Sequence, residues 1–388
     1  MSTIKVNRIE NTSTTDGGVS IDVDGHVTID GQQLPTAGPL SNRNRIINGD
    51  MRIDQRNNGA TIPTGNAGYS VDRWQTSLAV LTTFTYGRST VSPDGFTNSL
   101  LHTVASPLTP AANNYMLTEQ FIEGYNISDF NFGTASAVSV TVSFWVRSSV
   151  TGTYSVAIAN NSSNRTYVTT YSINTANTWE YKSVTIPGDT AGTWNSDNSK
   201  GLGLKFDLGS GSDFVAASTN SWVTTNTFKA AGSTSLCSTS GATFYLTGVQ
   251  LEVGSKATPF EHRSYGQELA LCQRYCQKFN YTDSSYQTIC FMTVPGTSTA
   301  TDGRGAIDWH QEMRATPSVT SSAAGTFRWN GGGLADQQAG SISFNQISKL
   351  STSTELTDST SRSRTSGRSG WMSREFVSDS WILATAEL

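Results

Sequence analysis

The chain has 388 residues, of which 36% are hydrophobic and only 14% charged, and its formal net charge is −4; ordinary globular chains carry roughly a quarter charged residues. That balance, with no long Lys/Arg run, offers no basic field for phosphate backbones and excludes nucleic acid as an expected partner. No apolar stretch approaches the roughly 20 residues that span a bilayer, so no membrane insertion is expected.

The first ten residues lack the apolar core of a signal peptide, so synthesis and retention in a cytosol are expected. The four cysteines, Cys237, Cys272, Cys276 and Cys290, are scattered and read as reduced thiols. Ser, Thr, Asn and Gly cover the surface in place of charge. They favour short strands and tight turns, and the expected fold class is all-β.

In chain order, residues 1–42 read as a short β segment. Val19, Ile21, Val23, Val27 and Ile29 alternate with polar residues around the turn dipeptide Asp24-Gly25. So short a segment cannot bury a core alone and must dock or oligomerise. Residues 43–263 read as one large antiparallel sandwich. Its clearest strand is 138–146, where Val138, Val140, Val142, Phe144 and Val146 face one way and Ser139, Thr141 and Ser143 the other.

Residues 264–280 hold the one convincing helix, expected over 265–279. Ser264 caps it, and Leu269, Cys272 and Cys276 recur at i, i+3 and i+7. A zinc reading of Cys272 and Cys276 would need two further ligands with no evident source, so they read as buried packing thiols. Strand patterning returns over residues 281–388, read as a C-terminal β-sandwich.

The segments Ile46-Ile47-Asn48-Gly49-Asp50-Met51-Arg52-Ile53-Asp54-Gln55-Arg56 and Tyr69-Ser70-Val71-Asp72-Arg73-Trp74 resemble the opening of the jelly-roll domain of tailed-bacteriophage tail-fibre proteins. Leu246-Thr247-Gly248-Val249-Gln250-Leu251-Glu252-Val253-Gly254, running through Pro259-Phe260-Glu261, is similar to the end of that domain. Met313-Arg314-Ala315-Thr316-Pro317-Ser318-Val319-Thr320, together with the terminal Ala386-Glu387-Leu388, is similar to the small C-terminal β-domain found after it. The resemblance implies a carbohydrate-binding-module-like jelly roll over 43–263 and a homotrimeric fibre subunit in the virion, assembled in the host cytoplasm. It also implies attachment to other tail or virion proteins through residues 1–42 and recognition of a host cell-surface glycan. A structural virion component, such as a head fibre or connector, and a glycan depolymerase are the alternatives.

Within Asp72-Arg73-Trp74 the indole is expected to fill the core while Arg73 and the carboxylate cap an edge or pair with neighbouring charges. A structural calcium ion at Asp50, Asp54 or Asp72 is the alternative, and no other cofactor is expected. No catalytic residue is expected: the four histidines are dispersed, and Glu119, Glu123 and Asp129 read as surface carboxylates. Sugar binding needs aromatic faces with amide or hydroxyl groups beside them. Trp309, Trp329 and Trp371 in the last segment are the first candidates, and Trp194, Trp222 and Tyr167 in the middle segment the second. The helix face of Leu269, Cys272 and Cys276 is a candidate seam between copies.

Overall fold

The computed structural model describes residues 8–10, 18–21, 27–29, 32–33, 42–281, 288–293, 302–331, 334–358, 369–374 and 380–388. Residues 1–263 and 264–387 form two compact units.

At the start of the first unit, Arg8–Glu10, Gly18–Ile21, Val27–Ile29 and Gln32–Gln33 form a four-stranded antiparallel ribbon. Val19 faces Ile29 and Ile21 faces Val27, the pairing expected across Asp24-Gly25, a turn that lies outside the described residues.

Two antiparallel sheets follow and make a jelly-roll sandwich. From edge to edge, the five-stranded sheet runs Glu180–Ile186, Val140–Ser148, Thr243–Val253, Ser99–Val104 and Phe84–Ser89. The seven-stranded sheet runs Trp222–Val223, Thr166–Ile173, Gly152–Asn160, Lys200–Asp207, Met116–Glu123, Trp74–Leu78 and Gly68–Val71. Alternation sends Val140, Val142, Phe144 and Val146 from one sheet against Tyr154, Val156, Ile158, Leu204 and Phe206 from the other. Phe144 meets Phe206 edge to face at 5.0 Å and Tyr171 at 4.9 Å.

Trp74 is fully buried in this core, and its indole N–H donates to the Asn48 carbonyl at 3.0 Å. Asn48 sits at φ 57° and ties the preceding loop together, donating to the carbonyls of Ile53 and Asp72. Arg73, at φ 72°, is buried and donates to the Phe121 carbonyl.

His102 also faces this core, stacked on Tyr86 at 5.7 Å, with Nε2 2.9 Å from the Thr76 hydroxyl. Burial pushes its pKa down from 6.5 to about 3, so the folded ring is neutral. A base whose folded pKa is depressed contributes stability that is complete above the unfolded value. That stability is lost as pH falls from about 6.5 towards about 3. Unfolding free energy is therefore expected to drop by about 2 kcal/mol between neutral pH and about pH 5 from this group alone. Urea titrations at the two pH values check it: His102→Gln should flatten the dependence, and an unchanged slope in that variant would assign the loss elsewhere.

The second unit opens on the helix Tyr265–Gln273, where Ser264 and Gln267 form a reciprocal capping box. It ends at Gln273, before Cys276 and six residues short of the expected 279. Residues Cys276–Tyr281 instead pair through six registered positions with Ser380–Thr385, which also pairs with Ser318–Ser321. Pairing with a distant strand overrides the local helical spacing. Six more strands, Thr288–Thr293, Asp302–Asp308, Ser351–Asp358, Leu334–Asn345, Phe327–Gly331 and Ser369–Arg374, close into a barrel. Where a second sandwich was expected, closure leaves these strands without exposed edges.

Candidate functional site

The strand Val140–Ser148 sends its valines and Phe144 inward, so Thr141, Ser143, Trp145 and Arg147 project from the opposite face of the five-stranded sheet. In register beside them, Glu180–Ile186 places Tyr181 opposite Trp145, Ser183 opposite Ser143 and Thr185 opposite Thr141. On the other side Tyr245 lies opposite Arg147. The ring centroids of Trp145 and Tyr181 are 5.5 Å apart, the Arg147 guanidinium lies 4.8 Å over the Tyr245 ring, and Trp179 meets Tyr245 at 6.1 Å. Arg147 Nε donates to the Asn177 carbonyl at 2.9 Å, which fixes the guanidinium.

A bulge next to Trp145 continues this band. Pairing with Thr243–Val253 shifts register between Ser143 and Trp145, and Gly248 adopts φ 60° there. A methyl group at that position would lie 2.7 Å from the Phe96 ring and 3.0 Å from Trp145, so glycine is what lets the two rings close over the backbone. Phe96 in turn packs on Phe260 and His262 at 5.1 and 5.2 Å. Tyr181 is 45% exposed, and Trp145, Trp179 and Tyr245 are half-buried. Burial raises the Tyr181 pKa, against a hydrogen bond with Ser143 that lowers it, so the phenol stays protonated at neutral pH. Thr141 and Ser143 are buried, so the face presents aromatic surfaces beside a phenol, the exposed residues Ser183 and Thr185 and an arginine. Such a surface stacks on the C–H faces of a pyranose and hydrogen-bonds its hydroxyls.

Sequence reading passed over these residues. The signal was present: Trp145 falls in the polar phase of the best-patterned strand in the chain.

The three middle-segment candidates do come together, but elsewhere. Trp222 meets Tyr167 at 5.3 Å and Trp194 at 5.6 Å, and Phe132 packs edge to face on both tryptophans. Both indole N–H groups are held internally, Trp222 by the Pro187 carbonyl at 2.9 Å and Trp194 by Asp189 and the Ala191 carbonyl at 3.3 Å each. Tyr167 is 4% exposed. The rings spend their faces on one another, so the cluster plugs the end of the sandwich.

In the second unit Trp309 is buried, packed near Phe279, and donates to the Ser348 carbonyl at 3.0 Å. It belongs to the core and is no platform. Trp329 lies on the strand Phe327–Gly331, and its side chain is outside the described residues. Trp371 is exposed, and the register sets it directly opposite Phe291, which is 81% exposed. The sequence reading did not single out Phe291.

Cys272 and Cys276 are both fully buried. The Leu269, Cys272 and Cys276 face is therefore no seam between copies: its cysteines are consumed by the fold, one on the helix and one on a strand.

The calcium set does not fit. Asp54 accepts the backbone N–H groups of Asn57 and Gly59, Asp72 accepts both the backbone and side-chain N–H of Gln55, and Asp50 pairs with Arg52. Among the described residues no three His, Cys, Asp or Glu side chains gather as a metal site. Glu119 and Glu123 share one face of the Met116–Glu123 strand, four residues and so roughly 13 Å apart. That exceeds the roughly 5–9.5 Å that separates glycosidase carboxylates. Asp129 pairs with Arg45 at 2.6 Å.

No protein-family profile and no curated protein sequence matches the chain. Among solved structures it is similar to the enzymatically active domain of tailspike protein 4 of bacteriophage CBA120, at 13% identity and TM-score 0.31, over 56% of this chain and 22% of that one. It is also similar to a module called TmCBM61, solved with β-1,4-galactotriose, at 8% identity and TM-score 0.29, over 55% of this chain and 99% of that one. A third likeness is to a family 11 carbohydrate-binding module of Clostridium thermocellum, solved with a mixed-linked tetrasaccharide, at 14% identity and TM-score 0.25, over 52% and 99%.

Proposed function

We propose that the chain is a fibre subunit of a tailed-bacteriophage virion that recognises a host-surface glycan on the solvent face of its five-stranded sheet. The observation that carries this reading is the partly exposed band of Trp145, Tyr181, Tyr245 and Trp179, with Arg147 fixed over Tyr245 and Ser183 and Thr185 exposed beside it. Rings kept half out of the core in a chain this rich in small polar residues point to a partner that covers them. The order of the three family-like segments along the chain supports the virion role. The strands described within the first 42 residues, too few for a core of their own, suit attachment of that segment to another virion protein.

In this reading three copies assemble, and weak contacts repeated over several sites combine into firm adhesion through effective concentration. The exposed pair Phe291 and Trp371 is the secondary contact. The test is to expose the full chain to an array of bacterial surface polysaccharides, following release of reducing sugar and measuring mass by sedimentation. Saturable binding by a trimer without sugar release is expected. Binding to no glycan would favour a purely structural virion part, and released sugar would make the chain a depolymerase.

A further inference from the structure

The other sheet carries a second constellation on its own outward face. Between the adjacent strands Lys200–Asp207 and Met116–Glu123, Lys205 lies opposite Glu119 and Gly203 opposite Phe121. Leu202, Leu204 and Phe206 point into the core, so Gly203, Lys205, Glu119 and Phe121 point away from it. Lys200 joins them, its ammonium 3.8 Å from the centroid of the Phe121 ring. Gly203 leaves the floor between them bare: a methyl group there would lie 3.1 Å from the Phe121 ring and 3.6 Å from the Lys200 side chain.

Lys205 is 6% exposed and Glu119 5%, while Lys200 and Phe121 are half-buried and form the accessible side. Glu119 accepts the Ser77 hydroxyl at 2.7 Å. Among the described residues neither ammonium has a carboxylate within ion-pair range or a hydrogen-bond acceptor; Lys205 has only the Phe228 ring, 5.1 Å away. Two partly desolvated cations thus lie beside two aromatic rings and two carboxylates, Lys205 opposite Glu119 and Lys200 opposite Glu123. Burial lowers the Lys205 pKa, and burial together with the charge of Lys205 lowers that of Lys200 to about 8, so Lys200 remains largely cationic at neutral pH. Ammonium groups at the accessible edge of this face, with no protein acceptor of their own, can take an incoming anion through charge-assisted hydrogen bonds.

We infer that this face binds the carboxylate-bearing ring of an acidic saccharide, a hexuronate. Its carboxylate would meet Lys200 and Lys205, a ring hydroxyl would donate to Glu119, and the C–H face would lie on Phe121. A bare inorganic oxyanion satisfies the lysines alone, with no proton for Glu119 and no apolar face for the ring. The inference names an acidic sugar class within the glycan-binding reading, on the sheet opposite the aromatic band.

The test is calorimetric titration of the full chain with sodium D-glucuronate and a D-galacturonate trimer. D-glucose, a neutral β-linked glucose tetramer and sodium sulfate serve as comparisons, with hydrogen exchange followed on the Lys200–Asp207 strand. Uronate binding with added protection of that strand is expected, weakened at least 10-fold in Lys200→Met and in Lys205→Met. Both variants should fold, since the first is half-exposed and the second removes a buried charge. Retained uronate binding in the double variant Trp145→Ala, Tyr181→Ala separates this face from the aromatic band. No uronate binding, sulfate binding with equal affinity, or equal protection by the neutral sugars would each overturn the inference.

Discussion

Replacing Trp145 and Tyr181 together by alanine is expected to weaken neutral-glycan binding on the order of 100-fold while leaving the unfolding midpoint nearly unchanged. The size follows from where the two rings sit. They face each other across adjacent strands at 5.5 Å, beside the fixed guanidinium of Arg147 and the exposed residues Ser183 and Thr185. Central aromatic anchors typically cost about 2 kcal/mol or more when truncated, and about 1.4 kcal/mol is tenfold in affinity, so two of them reach that loss. Stability should fall by only about 0.5–1.5 kcal/mol for the lost ring contact, because neither ring supports the interior. Titration of the saccharide identified by the array, beside a thermal melt, checks both halves. Trp371→Ser on the second unit serves as the comparison. Unchanged affinity in the double variant, with loss in Trp371→Ser, would move recognition to the barrel.

The sandwich core was legible because its strands are long and half-buried. Over Val140–Ser148 a period of two separates Val140, Val142, Phe144 and Val146 from Thr141, Ser143 and Arg147, and the structure buries the first set. The same parity puts Trp145 outside, and an aromatic in the polar phase of so clear a strand was the available pointer to the site. Tyr181, Tyr245 and the lysine face required knowledge of which strands are neighbours and in what register. Lys205 and Glu119 are 86 positions apart in sequence yet directly opposed in the sheet, and nothing local encodes such pairing.

In the last segment polar surroundings were a poor guide to exposure. Trp309 precedes His310-Gln311-Glu312 and Trp371 follows Gly367-Arg368-Ser369-Gly370, both polar runs, yet one is core and the other surface. Short strands interrupted by turns let phase slip between one tryptophan and the next. The helix end was hidden for a similar reason. Cys276, Lys278 and Asn280 alternate with Gln277, Phe279 and Tyr281, a run compatible with either element until Ser380–Thr385 supplies a partner.

Asp189→Ala is expected to destabilise the first unit by about 3–5 kcal/mol, the cost of removing one partner from a buried ion pair. Asp189 takes the Arg165 guanidinium through two bonds, 2.8 Å from Nε and 2.5 Å from Nη2, with side chains only 14% and 1% exposed. That hydrogen bonding, more than charge alone, raises the Arg165 pKa, and when its partner is removed the guanidinium stays cationic because the ordinary arginine pKa is already far above neutral. The same carboxylate accepts from the Trp194 indole and from the backbone N–H of Ala191. Loss of the carboxylate therefore leaves a guanidinium stranded against Trp222 and removes one of the two acceptors of Trp194.

Urea unfolding should show the midpoint falling with little change in slope. Because an apolar pair of similar volume often replaces a buried ion pair at little cost, Asp189→Leu combined with Arg165→Met should recover most of the loss. A cost below about 1 kcal/mol for Asp189→Ala would mean that the pair is solvated, as surface ion pairs are. The Trp194 and Trp222 cluster would then be open to a ligand and would not be the plug its internal hydrogen bonds describe. Glycan titration of Asp189→Ala below its unfolding midpoint decides between the two. If the cluster is a plug, affinity at the Trp145 face stays within about twofold, since changes at distant sites without shared partners act independently.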